Sequence, residues 1–147
     1  MTAQNLSDIL IREYRHPEDY SEVYRLWTSV GEGIHVSFSD QMEEIERLIQ
    51  KSPGLFFVAE RKNEIIGTVM GGFDGRRGLI YHLAVLPKYQ KRHLGSELLS
   101  RVESELLKTG CSKVYLFVVP GNIKTAEFYK HNGYEQMNVI PFTKYLK

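Results

Sequence analysis

Residues 79–99 place an apolar strand, a short turn and the start of a helix in direct succession. A helix that begins after such a turn presents unpaired backbone N–H groups and the positive end of its dipole at one point. That arrangement binds phosphate or pyrophosphate. Lys91 and Arg92 add positive charge to the turn, and Gly95 lets a ligand approach the backbone closely. The segment therefore predicts a site for a phosphorylated cofactor, and it fixes a strand–helix unit at the centre of the fold.

The remaining periodicity predicts further strands and helices around this unit. Strands are expected over residues 9–14, 55–60, 65–73, 78–86 and 113–119, with a last extended segment reaching residue 145. Helices are expected after His16-Pro17-Glu18-Asp19, after a Ser39-Asp40 cap, and over 94–108 and 122–131. Short turns make the middle strands antiparallel, whereas the strand–helix–strand unit over 79–119 is parallel. The sequence thus predicts an α/β fold, with a mixed, mostly antiparallel sheet and helices on both faces.

Composition narrows the class of protein. The 147 residues, 42% hydrophobic and 25% charged, suit one globular domain over 9–147 that follows a flexible tail over 1–8. The net charge of +1 argues against nucleic-acid binding, and one cysteine excludes an intrachain disulfide. No signal peptide or membrane-spanning run is visible, so a cytoplasmic protein with no membrane partner is expected. The five histidines lack metal-ligand spacing, so no metal is expected.

Two motifs, in this order, resemble those of the GCN5-related N-acetyltransferase superfamily, and the resemblance runs from about residue 9 to residue 145. The first is the family's Arg/Gln-x-x-Gly-x-Gly/Ala loop, which reads here Gln90-Lys91-Arg92-His93-Leu94-Gly95. The second comprises Asn122, Ala126, Phe128, Tyr129, Gly133 and Tyr134. The run Gly-Thr-Val-Met-Gly-Gly-x-Asp-Gly-x-Arg-Gly over 67–78 resembles a compact bacterial subgroup. One departure is His93, which stands where the family usually has its first loop glycine.

The resemblance implies acetyl-CoA as the acetyl donor, held between the fourth and fifth strands, which splay apart. In this sequence those strands are residues 79–86 and 113–119. Backbone groups of Leu83 and Val85 are then expected to pair with the pantetheine arm, and one of them to polarise the acetyl carbonyl. The cofactor-binding residues implied by the two motifs are Gln90, Lys91, Arg92, His93, Leu94, Gly95, Ser96, Asn122 and Tyr129.

The resemblance also implies the chemistry. Tyr129 matches the family's general-acid tyrosine, and the acceptor is a primary amine of a small molecule, peptide or protein. Family members often place a glutamate base on the fourth strand, which here has no carboxylate. Histidine has an ordinary pKa that suits a base near neutral pH, so His82 is the candidate, with a water relay as the alternative. Trp27, Tyr24 and Tyr81 are candidates to border the acceptor.

Two other functions stay open at this point. A non-catalytic acyl-CoA-binding or regulatory domain would also keep the cofactor cleft, and His93 together with the missing carboxylate favours it. A dinucleotide-binding domain is disfavoured, because no Gly-x-Gly-x-x-Gly follows the first strand and no Gly-Lys-Ser/Thr loop exists. Many relatives form dimers, so a homodimer is a further alternative that the sequence leaves open.

Overall fold

The computed structural model describes residues 8–31, 34–90 and 93–147. The chain divides into two compact units, one that ends at Phe117 and one that comprises Val118–Lys147. The predicted tail over 1–8 lies outside the described residues except for Asp8. The Asp8 carboxylate accepts a hydrogen bond from Arg61 Nε at 2.9 Å.

A five-stranded sheet forms the centre of the first unit. Its strands follow one another in sequence order, and each neighbouring pair is antiparallel except the last. The strands are β1 (Leu10–Glu13), β2 (Phe56–Arg61), β3 (Glu64–Phe73), β4 (Gly78–Val85) and β5 (Val114–Tyr115). The predicted antiparallel strands in the middle of the chain and the parallel strand–helix–strand unit are both confirmed.

Three helices pack against this sheet: α1 (Tyr20–Ser29), α2 (Met42–Lys51) and α3 (Leu94–Lys108). Helix α1 buries Val23, Leu26 and Trp27. These are positions i, i+3 and i+4, which lie on one side of a helix. Helix α2 buries Ile45. These side chains share one core with Phe56, Val58 and Met70 of the sheet.

Helix α3 covers the opposite face of the sheet, where glycines permit a close approach. A Cβ atom on Gly71 would lie 2.8 Å from Val102 Cγ2, and one on Gly67 would lie 3.0 Å from Leu98 Cδ1. Both partner side chains are completely buried. The predicted mixed α/β architecture with helices on both faces is therefore confirmed.

The second unit contains helix α4 (Ile123–His131), which Asn122 caps by accepting a hydrogen bond from the Thr125 N–H at 3.4 Å. The predicted last strand, extending to residue 145, is wrong, because residues 135–147 adopt no regular secondary structure. Alternation of apolar residues satisfies the strand pattern, but a strand also needs a neighbouring strand for its N–H and C=O groups. The second unit contains helix α4 and no strand with which this segment could pair.

Two further predictions are corrected by the first unit. The strand expected over 113–119 extends over Val114–Tyr115, because β5 pairs with β4 at two positions and then stops. Asp40 does not cap α2, whose N-cap is Gln41. Instead Asp40 ends a 3-10 turn over Phe38–Asp40, where its side chain and that of Ser37 form a capping box.

Candidate active site

The edge of β4 that faces away from β3 is open along most of its length. The Leu86 N–H donates to the Ile66 carbonyl at 2.9 Å, so Leu86 faces β3. Because successive residues of a strand point their backbone groups to opposite sides, those of Leu83 and Val85 face away from β3. Strand β5 pairs with Gly78 and Leu79. Val85 lies opposite Gly67 of β3, but on the side away from β3 no strand within the described residues up to Phe117 pairs with Leu83 or Val85.

Gln90 links this edge to the turn before α3. Its Nε2 atom donates a hydrogen bond to the Val85 carbonyl at 2.9 Å. The predicted cofactor residues Val85 and Gln90 are thus brought together. Three backbone groups of this edge accept or donate no side-chain hydrogen bond among the described residues of this unit. They are the Val85 N–H and the N–H and C=O of Leu83.

A β-bulge interrupts β4 at His82. The register passes from Met70 opposite Tyr81 to Thr68 opposite Ala84, so one residue of β3 faces both His82 and Leu83. His82 has a φ of 45°, in the left-handed region that is uncommon for residues other than glycine. A bulge of this kind redirects a side chain and bends the strand.

The redirected His82 side chain meets a buried carboxylate. His82 Nε2 lies 2.7 Å from Asp40 Oδ1, and Asp40 is 3% exposed. The second carboxylate oxygen, Oδ2, accepts the Ser37 N–H at 3.0 Å, while the Tyr20 hydroxyl donates to the Asp40 carbonyl at 2.8 Å. Asp40 was missed as a functional residue because Ser-Asp before an apolar run predicts a helix cap. A contact across 42 positions leaves no local signal in the sequence.

A chain of hydrogen bonds links helix α1 through β3 to the bulge in β4. Trp27 Nε1 donates to Thr68 Oγ1 at 3.0 Å, and the Thr68 hydroxyl donates to the His82 carbonyl at 3.0 Å. The rings of Trp27 and His82 lie 4.7 Å apart, centre to centre. Since Trp27 is 1% exposed, it contacts the site through His82.

The other two residues expected to border the acceptor are Tyr24 on α1 and Tyr81 on β4. The Tyr24 side chain is partly exposed, and its ring lies 5.8 Å from that of Tyr20. Tyr81 packs against the same core as Trp27, and burial raises the pKa of its hydroxyl.

The N-terminus of α3 presents the N–H groups of Leu94, Gly95 and Ser96. The first hydrogen bond of the helix runs from the Glu97 N–H to the His93 carbonyl at 3.0 Å, so these three N–H groups precede it. His93 adopts a left-handed conformation, with φ 63° and ψ 5°. A glycine takes this conformation readily, in keeping with the glycine that the resemblance led us to expect at this position. The predicted phosphate ligands Lys91 and Arg92 lie outside the described residues.

The second unit carries the two residues of the second motif that were expected to act in the site. Asn122 caps α4, as described above. Tyr129 is half-buried, with its ring 5.2 Å from that of Phe128 and 5.5 Å from that of Tyr134. Burial raises the pKa of Tyr129 to about 12, so its phenol is protonated at neutral pH.

The part of the chain that the structure describes contains neither a cluster of metal ligands nor a membrane-spanning helix. No group of three or more histidine, cysteine, aspartate or glutamate side chains there could hold a metal ion. None of the helices within residues 8–31, 34–90 and 93–147 is long and apolar enough to cross a bilayer.

Comparison with known proteins adds independent evidence. The model of the acetyltransferase (GNAT) family matches residues 6–134. Acetyltransferase SG1711 of Sodalis glossinidius (strain morsitans) is 37% identical over 130 residues, which cover 88% of this chain and 89% of that protein.

Solved structures show the same fold. A GNAT-family acetyltransferase from Staphylococcus aureus Mu50 has a TM-score of 0.77 at 24% identity, over 93% of each chain. The aminoglycoside acetyltransferase AAC(6')-Iy, in complex with a CoA bisubstrate analogue, has a TM-score of 0.75 at 17% identity, over 95% of this chain and 99% of that one. Glucosamine-6-phosphate N-acetyltransferase from Arabidopsis thaliana has a TM-score of 0.68 at 20% identity, over 95% and 99%.

Proposed function

The chain belongs to the acetyltransferase (GNAT) family, and we propose that it transfers the acetyl group of acetyl-CoA to a primary amine of a small molecule, peptide or protein. The amine attacks the acetyl carbonyl directly while both substrates are bound. The observation that carries the proposal is the open edge of β4 at Leu83 and Val85, beside a fifth strand that stops pairing after two positions.

The chain offers groups that suit each part of acetyl-CoA. The amide groups of the pantetheine arm can pair with Leu83 and Val85 as an added strand would. The pyrophosphate suits the N–H groups of Leu94, Gly95 and Ser96 at the start of α3. The left-handed His93 keeps the turn in the conformation that a glycine would give it. Family resemblance adds Lys91, Arg92 and Asn122 to this set.

The reaction needs both a base and an acid. An alkyl amine with a lysine-like pKa of about 10.4 is only about one part in a thousand neutral near pH 7.4, so its proton must be removed. A fixed backbone N–H of β4 stabilises the negative oxygen of the tetrahedral intermediate. Tyr129, which burial keeps protonated, is assigned by resemblance as the donor to the departing CoA sulfur.

The acceptor class follows from chemistry and from relatives. Solved relatives named for aminoglycosides and for glucosamine-6-phosphate are amine acetyltransferases. We extend the amine class to this chain and leave the identity of the acceptor to a screen of aminoglycosides, amino sugars, polyamines, amino acids and lysine peptides.

The test is release of CoA thiol by the purified full chain with that panel and acetyl-CoA. We expect turnover with at least one amine, and a loss of about 10²-fold or more in kcat for Tyr129→Phe, the range for a general acid. Tyr134→Phe is the matched control, because it removes the hydroxyl of a ring that packs 5.5 Å from that of Tyr129, centre to centre, and leaves the Tyr129 hydroxyl in place. Binding of acetyl-CoA without thiol release across the panel would instead identify a non-catalytic acyl-CoA-binding domain.

A further inference from the structure

We infer that His82 and Asp40 act as a base and its positioning residue: His82 Nδ1 takes the proton of the attacking amine, and Asp40 holds the imidazole in the required tautomer. This inference rests on the proposed acetyltransferase function and assigns the base that the family resemblance leaves unassigned. It follows from the geometry around the β4 bulge.

Asp40 is fixed as an acceptor on both of its carboxylate oxygens. Oδ2 accepts the Ser37 N–H and Oδ1 lies 2.7 Å from His82 Nε2. An ionised carboxylate can only accept, so the proton of the neutral imidazole is placed on Nε2. The lone pair is then on Nδ1, which makes this atom the proton acceptor.

Nδ1 is open to a substrate. No hydrogen bond to it is found from the described residues, and among those residues no buried side-chain nitrogen or oxygen lacks a partner. Nδ1 therefore reaches the surface, in agreement with a His82 side chain that is 17% exposed above an Asp40 side chain that is 4% exposed.

The position of His82 next to Leu83 brings this atom to the reactive part of the proposed site. Leu83 presents its backbone groups at the open edge of β4, and the bulge holds His82 beside it by a hydrogen bond from Thr68. Among the described residues, the imidazole contacts the uncharged ring of Trp27 on α1 and the Asp40 carboxylate from the turn before α2, while Thr68 of β3 bonds the His82 backbone carbonyl. Glu22, also on α1, accepts the Ile65 N–H.

The proposed step is balanced. The acceptor ammonium first loses one proton to solvent. The neutral amine nitrogen then forms a bond to the acetyl carbonyl carbon, the carbonyl electron pair moves to the oxygen, and a second proton passes from the nitrogen to His82 Nδ1. The imidazolium is stabilised by the Asp40 carboxylate through Nε2–H. The carbon–sulfur bond then breaks, and the sulfur takes a proton from the general acid, the role that the family resemblance assigns to Tyr129. After the products leave, the His82 imidazolium loses its proton to solvent, and Tyr129 takes a proton from solvent.

Asp40→Asn tests the positioning role without removing bulk. The Ser37 N–H requires an oxygen, so the Asn amide oxygen takes the place of Oδ2 and the NH₂ group faces His82 Nε2. The imidazole must then accept on Nε2 and carry its proton on Nδ1, which is the wrong tautomer for a base. We expect kcat to fall by about 10²-fold or more, as for loss of a general base, while the KM for acetyl-CoA is unchanged.

Three further measurements separate this role from a structural one. Nitrogen-15 NMR of the imidazole should show the proton on Nε2 in the wild type and on Nδ1 in Asp40→Asn. His82→Asn, which tolerates the left-handed backbone, should lower kcat by about 10²-fold or more while the KM for acetyl-CoA is unchanged. Glu44→Gln, which removes a carboxylate of α2 that pairs with Arg47 at 3.1 Å and leaves Asp40 in place, should keep wild-type kcat.

The outcomes are distinct. If the wild type turns over amines and Asp40→Asn keeps its kcat and pH profile, the base assignment is overturned and acetyl transfer stands. If the wild type acetylates no amine, both the proposed function and the base role are overturned. Loss of activity in Asp40→Asn with the wild-type tautomer retained would also refute the positioning role.

Discussion

Thr68 is the residue whose replacement should most directly disturb the support beneath His82. It is completely buried, and its one hydroxyl accepts from Trp27 and donates to the His82 carbonyl. Thr68→Val keeps the shape of the side chain but leaves both partners without a hydrogen bond. Each buried group left unsatisfied costs about 1–3 kcal/mol, so the two together should destabilise the protein by about 2–6 kcal/mol.

Thr68→Ser is the matched control for this prediction. It keeps the hydroxyl and removes one methyl group, which should cost about 1 kcal/mol. Urea unfolding gives the free energies directly, and the Tm of Thr68→Val should fall by about 4–24 °C, at roughly 2–4 °C per kcal/mol for a chain of this size. In a Trp27→Phe background the indole N–H is absent, so Thr68→Val should cost less than it does alone. A Thr68→Val protein as stable as Thr68→Ser would refute the reasoning.

Three other predictions follow from the packing, the charges and the backbone. Gly71→Ala places a Cβ 2.8 Å from the buried Val102 Cγ2, so urea unfolding should show a loss of about 1–3 kcal/mol that Val102→Ala partly restores; an unchanged midpoint would contradict this close packing. Burial alone raises the pKa of Asp19, but hydrogen bonds from the Arg12 side chain and the Arg15 N–H outweigh it, and the pKa lies below its ordinary value. The ion pair therefore stabilises the fold fully above the ordinary carboxyl pKa of about 3.9 and loses this effect as pH falls through the lower folded value, so Asp19→Asn should weaken the acid dependence of the urea midpoint below about pH 4. His93→Gly removes a left-handed residue and should raise stability by up to about 1 kcal/mol in thermal unfolding while acetyl-CoA binding is kept; binding that appears only in the variant would show that His93 blocks the loop.

The elements of the sheet and of α3 could be predicted because local patterns determine them. The run over residues 65–73 predicted a strand, and β3 is buried without interruption from Ile65 to Gly72; the helical spacing of Leu94, Leu98, Val102 and Leu106 matches the burial seen in α3. The helix predicted over 94–108 has the observed bounds. In these segments periodicity and tertiary packing favour the same structure.

Predictions failed where a distant partner decides the structure. Residues 116–119 have a strand-like composition, but β5 ends at Tyr115 because β4 pairs with it no further. The alternating residues after Tyr134 lack a strand to pair with in their own unit. Asp40 has the local signature of a helix cap, yet its carboxylate binds His82, 42 positions away.

The candidate site divides in the same way. The loop before α3 and the strand edge were predictable, since a motif and a strand position identify them. The bulge that turns His82 toward Asp40 was not, because a bulge depends on the register between β3 and β4. Sequence alone proposed the base, and the structure adds the residue that would position it.

The most direct measurement is the Tm of the full chain with and without acetyl-CoA, CoA, ATP and NAD, because the central claim is a site for acetyl-CoA along β4 and at the start of α3. A ligand at about 100 times its Kd adds roughly 2.7 kcal/mol of stability, which corresponds to a rise of about 5–10 °C. The account predicts this rise with acetyl-CoA and CoA, and none with ATP or NAD. No rise with either CoA compound, or an equal rise with NAD, would contradict it.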